Sequence, residues 1–202
     1  MRTAALLRPL FVVAFVLCAA SCDRDAAEVK ADARPWTPGM NTPPPAAEPP
    51  QDSWIAIESA EGRFTQKFPR APKTERAMVP TAIGEIPQTT IAAEVEGAYY
   101  AATFADYPAS LVAQTTPEAQ LDGARDGSVA NVGGKLVSER HITLEGFPGR
   151  ELTVSVHAEG QSIEMLQRLY VVKERLYQQI VVYPVGQTPE AARFFDGFTL
   201  AR

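Results

Sequence analysis

Two histidines, one glycine–arginine step and a group of tyrosines near the C-terminus are the chemistry this 202-residue chain offers. His141 and His157 sit on successive strand-like stretches joined by a turn read at 145–149. Pairing across that turn sets His157 near Val137 and leaves the imidazoles about four strand positions, or ~13 Å, apart. That is too far to share a metal ion, and no carboxylate spacing marks a zinc site. We therefore expect no metal and no cofactor, with both histidines as ordinary strand or surface residues. Ser128, in Gly127-Ser128-Val129, falls inside a helical pattern with no base nearby, and no Gly-x-Ser-x-Gly elbow occurs. Gly133-Gly134-Lys135 lacks the strand-before-helix setting of a phosphate loop and reads as a turn. Arg150 after Gly149 is more suggestive, because a guanidinium beside open backbone amides can hold an anion. The simpler alternative is a strand-start arginine paired with Glu145 or Glu151. Tyr170, Tyr177 and Tyr183 suit a binding surface, being apolar with a polar tip, although packing beneath a helix explains them equally well. None of this makes a catalytic constellation, and the chain reads as a non-enzyme.

The address is clearer than the activity. Met1 to Arg8 holds two arginines and no acid, Leu10 to Leu17 is apolar, and Ala19-Ala20-Ser21-Cys22 follows. This is the layout of a secretory leader, with an apolar run too short to span a bilayer. The small residues ending at Cys22 resemble a bacterial lipobox, with Ala19 where leucine is usual. The resemblance implies cleavage before Cys22 and diacylation of its sulfur, and several acyl chains anchor stably where one does not. Ordinary signal-peptidase cleavage at the same bond is the alternative, since Ala19-x-Ser21 also fits small-x-small. Cys18 leaves with the leader, so Cys22 has no disulfide partner. Asp23, next to the cysteine, favours inner-membrane over outer-membrane residence where the enterobacterial sorting rule applies. We thus expect a leader over 1–21, an acylated cysteine and tether over 22–52, and one folded domain over 53–202. The tether holds seven prolines between residues 23 and 50, and as polyproline II it reaches on the order of 80 Å.

Composition agrees with one globular domain: 46% of residues are hydrophobic and 21% charged. Net charge is −5, and losing Arg2 and Arg8 with the leader makes it −7. That excludes nucleic acid, whose phosphates require a basic stripe, and argues against electrostatic docking on anionic lipid.

The elements follow from periodicity. Trp54–Glu58 and Arg63–Phe68 read as a hairpin about Glu61-Gly62, with Phe64 and Phe68 on one face. A strand over Glu75–Val79 follows, then Gln88–Val95 and Ala98–Asp106 about Glu96-Gly97. Thr116-Pro117-Glu118-Ala119 opens a helix with a hydroxyl cap, a first-turn proline and a first-turn acid. Leu121, Ala124, Ser128 and Val129 share its face, and Gly133-Gly134 ends it. Thr188-Pro189-Glu190-Ala191 repeats the start signal near the C-terminus. Between the helices lie strands over Lys135–Leu144, Arg150–Ala158, Ser162–Val172 and the stretch after Lys173-Glu174. A two-residue loop there pairs Val172 with Arg175 and Tyr170 with Tyr177. It also gathers Leu169, Val171, Leu176, Ile180 and Val182 on the opposite face, so the sheet must be covered on both sides.

Trp54-x-x-Ile57, Gly62-x-Phe64-x-x-x-Phe68-Pro69, Phe147-Pro148-Gly149-Arg150-Glu151-Leu152 and Arg168-Leu169-Tyr170-Val171-Val172 carry a resemblance. With the final Phe194-Phe195-x-x-Phe198-x-Leu200, the chain from about Trp54 to Leu200 resembles the PsbP-like domains of bacterial envelope lipoproteins. The resemblance implies an α+β fold, an antiparallel sheet sandwiched by helices. It brings no catalytic residue, and no photosystem-binding or GTPase-binding motif of other members of the fold is present. The expected function is a membrane-tethered envelope lipoprotein, anchored through Cys22 on the periplasmic side, whose domain binds or assembles an envelope protein partner. The alternative is a carrier of lipid or small apolar ligands with a solvent-open pocket on the Tyr170/Tyr177 face. A hydrolase would need paired buried carboxylates or a histidine–acid contact in a cleft.

Overall fold

The computed structural model describes residues 54–81, 84–158 and 160–201. The leader, Cys22, Asp23 and the proline-rich tether lie outside the described residues. In chain order, β1 (Ile55–Ser59) and β2 (Phe64–Phe68) form the expected hairpin, with Ser59 opposite Phe64. Then come β3 (Lys73–Thr81), β4 (Gly84–Val95) and β5 (Ala98–Asp106). A four-residue helix, α1 (Ala109–Val112), follows the Tyr107-Pro108 break and was not foreseen. After it run α2 (Pro117–Asn131), β6 (Lys135–Leu144), β7 (Phe147–Ala158), β8 (Gln161–Val172) and β9 (Arg175–Pro184). The chain finishes with α3 (Ala191–Asp196) and β10 (Thr199–Leu200).

Seven strands make one antiparallel sheet in the order β3-β4-β5-β9-β8-β7-β6, and β1-β2-β10 make a second, smaller sheet. Hairpins account for five of the six neighbour pairs in the large sheet, and only β5 against β9 joins distant segments. Two of these hairpins turn on Glu96-Gly97 and Glu145-Gly146, with φ of 52° and 78° and of 51° and 88°. Two successive positive φ values give the mirror-image turn whose twist matches the flanking strands.

Both faces of the large sheet are covered. On one, α2 lays Leu121, wholly buried, against Leu152, Val154, Met165 and Leu169. On the other, the small sheet and α3 bring Phe64, Phe68, Phe194 and Phe198 onto Tyr100, Phe104, Tyr170 and Tyr177. The expected sandwich therefore holds, with a three-stranded sheet sharing the cover on one side. The Lys173-Glu174 register also holds: Tyr170 faces Tyr177 and Val172 faces Arg175. Lys173 accepts a φ of 57° to make that loop, because the paired strands on either side fix its ends.

Two expectations need correction. The turn after β6 is Glu145-Gly146 alone, so Leu144 pairs with Phe147, and Phe147-Pro148-Gly149 is already strand. Gly149 is there for closeness: a Cβ would lie 2.5 Å from the Leu169 carbonyl oxygen and from the Tyr170 ring. The shorter turn, with an irregularity between Leu136 and Ser138, puts Arg150 opposite His141 and carries His157 past the paired end of β6. The histidines are thus further apart than the longer turn implies. The second correction concerns the repeated start signal. Thr116 caps α2, its Oγ1 accepting from the Ala119 amide at 3.2 Å. Thr188 caps nothing: α3 begins three residues later behind Glu190, whose side chain makes no cap bond. Glu190 is engaged elsewhere, its Oε2 accepting from Trp54 Nε1 at 2.8 Å and from Arg193 at 3.2 Å.

Candidate functional site

Tyr170, Tyr177 and Tyr183 are 4%, 3% and 8% exposed, so they form core and not a surface. Each is the product of strand alternation, which turns every second residue of β8 and β9 toward the small sheet. Tyr177 donates its hydroxyl to the Gly62 carbonyl at 2.7 Å, tying β9 to the first hairpin. Tyr183 donates to Glu164 Oε1 at 2.7 Å. Burial, followed by the Glu164 carboxylate, raises the Tyr183 hydroxyl well above its ordinary pKa. Phe198 stacks on Tyr170 and meets Tyr177 edge-on, which closes the Tyr170/Tyr177 face against any apolar ligand. Among the described residues, no solvent-open pocket of the kind a carrier would need lies on that face.

Arg150 is buried, and its partners come from α2 and β6, not from Glu145 or Glu151. Its Nε lies 2.9 Å from Glu139 Oε1, a charge contact off the hydrogen-bond axis. Its Nη1 donates to His141 Nδ1 at 2.9 Å, and Nη2 lies 3.5 Å from Asp122 Oδ1. Since a guanidinium only donates, His141 must present an unprotonated Nδ1 to it. Arg125 on α2 closes the ring, reaching Glu139 Oε2 and Asp122 Oδ1 at 3.1 Å each and Asp126 at 2.8 Å. Arg150 Nε lacks an aligned acceptor, but it is buried against Glu139, and Asp122 flanks the guanidinium as well. The cluster therefore fastens α2 to the sheet rather than presenting an open anion site. Glu151 belongs to a second network on the opposite face, between Arg140 and Arg168 at 2.7 Å each. The hydrogen bond from Arg140, and then that from Arg168, holds its carboxyl below the usual range.

The remaining chemical candidates are accounted for in the same way. His157 Nδ1 meets Ser162 across the strand pair at 3.1 Å, and among the described residues neither imidazole contacts a carboxylate. Ser128 Oγ donates to Gln167 Oε1 at 2.7 Å. Gly133 and Gly134 spend their amides on the Ala130 and Val129 carbonyls as the end of α2, so Gly133-Gly134-Lys135 is a turn. Among the described residues no group of three or more metal-binding side chains is placed to hold an ion. Nor is any described helix long and apolar enough to cross a membrane.

Sequence reasoning missed a buried amide pair. Gln66 and Gln179, both wholly buried, point into the tyrosine core. Gln66 Nε2 donates to the Phe194 carbonyl at 2.7 Å, and Gln179 Nε2 donates to Gln66 Oε1 at 3.0 Å and to the Phe195 carbonyl at 3.2 Å. Together they add side-chain bonds to carbonyls at the end of α3 that otherwise have only the longer backbone bonds from Gly197 at 3.2 Å and Phe198 at 3.4 Å. The signal was present: Gln66 interrupts the apolar alternation Phe64-x-Gln66-x-Phe68.

Open space occurs at one end of the domain. A cleft of about 500 Å³ lies among Trp54, Pro69, Tyr100, Pro189, Glu96 and Glu190. Trp54 meets Tyr100 edge-on at 5.9 Å, and Arg193 lies 4.8 Å over the Trp54 ring. A second cleft of about 380 Å³ lies among Gly134, Lys135, His157, Ser162, Ile163 and Val185.

These features define an α+β domain of PsbP-like fold, an antiparallel sheet covered on both faces. The solution structure of cyanobacterial PsbP (CyanoP) from Synechocystis sp. PCC 6803 superimposes with a TM-score of 0.52 at 9% identity, covering 74% of this chain and 93% of that one. Two further structures resemble it more loosely. The protein of unknown function PA94 from Pseudomonas aeruginosa, a putative regulator by its description, gives a TM-score of 0.40 at 15% identity over 71% of this chain and 91% of its own. LpqN, involved in cell envelope biogenesis of Mycobacterium tuberculosis, gives 0.34 at 18% identity over 76% and 80%. At those TM-scores neither bears on fold or function. No protein-family model and no curated protein sequence matches the chain.

Proposed function

We propose that the chain is a membrane-tethered envelope lipoprotein whose PsbP-like domain binds or helps assemble another envelope protein and performs no catalysis. Cys22 is acylated on the periplasmic side, Asp23 favours the inner membrane, and the proline-rich segment holds the domain away from the bilayer. The observation that carries the binding reading is the closed interior. Tyr170, Tyr177 and Tyr183 are sealed in, and Arg150, His141 and Glu139 are bound to one another. A domain so closed acts through its outer surface. The same closure counts against the lipid carrier, and two histidines without a carboxylate contact among the described residues count against the hydrolase.

The test is made in cells at native expression. An alkyne palmitate label should enter the protein and vanish in Cys22→Ser, with the domain released from membranes. Crosslinking, followed by purification through the C-terminus, should capture a discrete protein. A tightly retained lipid with no protein partner would transfer the reading to a carrier.

A further inference from the structure

The two clefts are neighbours. Val185 lines one and Gly186 the other, so the loop after β9 is their common wall. That loop is fixed, with the Val185 amide donating to the Ser162 carbonyl at 2.9 Å and the Gln187 amide to the Pro184 carbonyl at 3.1 Å. It is also bare: Val185 is 61% exposed. The strand registers place Glu96, Val185, His157 and Lys135 at one end of the large sheet. The clefts differ in sign. Glu96 stands in the first and Lys135 in the second, and neither is paired with a described residue.

Resting on the binding reading above, we propose that this end docks an extended segment of a partner protein. The segment presents a cation to Glu96, an apolar side chain over Val185 and an anion to Lys135. Its length follows from the topology. From the β4–β5 turn to the start of β6 the sheet steps across β5, β9, β8, β7 and β6. Four steps of ~4.8 Å span ~19 Å, which about seven extended residues cross at ~3.3 Å each. The other open borders of the sheet fit a partner less well. The β3 edge carries Lys73, Glu75, Arg76 and Pro80, and β6 is irregular at Val137, the devices that discourage strand pairing.

The probes are the heptapeptide Lys-Ala-Ala-Val-Ala-Ala-Asp, its reverse, and controls with lysine at both ends or aspartate at both ends. The isotope-labelled full chain in detergent is titrated with each and followed through its amide resonances. We expect one bipolar peptide to shift the amides of Glu96, Lys135, Val185 and Gly186 and to bind at least threefold tighter than either control. The double variant Glu96→Lys with Lys135→Glu should reverse the preference between the two bipolar peptides. Lysine is tolerated at a left-handed turn position here, as Lys173 shows, and retained spectral dispersion verifies the fold. Equal affinity for all four peptides, shifts confined elsewhere or no shifts at all would overturn the proposal. In cells, photocrosslinkers at Val185 and at Met78 on β3 separate the two readings. Capture of one protein through Val185, lost in the charge-swapped variant, supports the surface. Capture only through Met78 leaves the binding reading standing and removes this surface, and capture through neither removes both.

Discussion

Gln179→Met tests whether the buried amide pair is structural. Methionine keeps the length and nearly the volume of glutamine, so packing changes little. It deletes the Nε2 donor shared by Gln66 Oε1 at 3.0 Å and the Phe195 carbonyl at 3.2 Å. The Phe194 carbonyl keeps its 2.7 Å bond from Gln66. Gln66 Oε1 is left unpaired at ~1–3 kcal/mol, while the Phe195 carbonyl falls back on its 3.4 Å bond from the Phe198 amide. Against that stands Gln179 Oε1, a buried oxygen with no partner, whose removal returns a similar amount. The net expectation is a loss of about 1 kcal/mol, from the unpaired Gln66 oxygen and the weakened bonding of the Phe195 carbonyl less that return. Gln66→Met gives no such return, because both polar atoms of Gln66 are bonded and its donor serves the Lys67 and Phe194 carbonyls. It should cost about 1–3 kcal/mol, because three bonds of a buried side chain go with nothing returned, although the Phe194 carbonyl keeps the Gly197 amide at 3.2 Å. Urea denaturation at neutral pH, with m held equal, reads both values. A Gln179→Met variant as stable as the parent, or a Gln66→Met variant no worse than Gln179→Met, would refute the assignment of these amides as caps of α3.

Three further outcomes follow from local geometry. The side-chain bond from Arg175, opposed by partial burial, holds the Asp106 carboxyl below its ordinary range. Its contribution is therefore complete above the unfolded pKa near ~4 and is lost as pH falls through the folded value. Asp106→Asn should flatten the fall in urea midpoint between about pH 5 and pH 2, and an unchanged acid limb would contradict this. Gly149→Ala should destabilise by about 1–3 kcal/mol or more through the clash with Leu169 and Tyr170, again read by urea midpoint. Thr116→Ala should cost about 1 kcal/mol and Thr188→Ala a few tenths at most, because only Thr116 accepts a cap bond. Equal losses in thermal unfolding would show that the two starts are alike after all.

That contrast illustrates what could be read from the sequence and what could not. The bounds of β5 and β6, the capped start of α2 and the Lys173-Glu174 register rest on near-neighbour rules, and they appear where those rules put them. Phe147-Pro148-Gly149 reads as turn by composition but is strand, since Gly149 answers to Leu169 and Tyr170, some twenty residues away. Thr188 fails as a cap because Glu190 is drawn to Trp54, 136 residues distant in the chain. The joining of β10 to β2 has the same character. Where a local preference meets a long-range contact of greater energy, the contact prevails.

The site follows the same division. Arg150 is conspicuous in sequence, yet its role is set by Asp122, Glu139 and His141, which reach it from a helix and a neighbouring strand. Nothing in their spacing announces a cluster. The tyrosines were equally compatible with core and surface until the small sheet was placed, because alternation fixes which residues share a face but not what covers it. Once Phe64, Phe194 and Phe198 close that face, the aromatic residues lose their claim to a surface. What is left for recognition are residues that no motif marks: an exposed valine on a pinned loop and two single charges of opposite sign. Their meaning comes from the sheet order alone, which brings residues 96, 135 and 185 to one end of the domain.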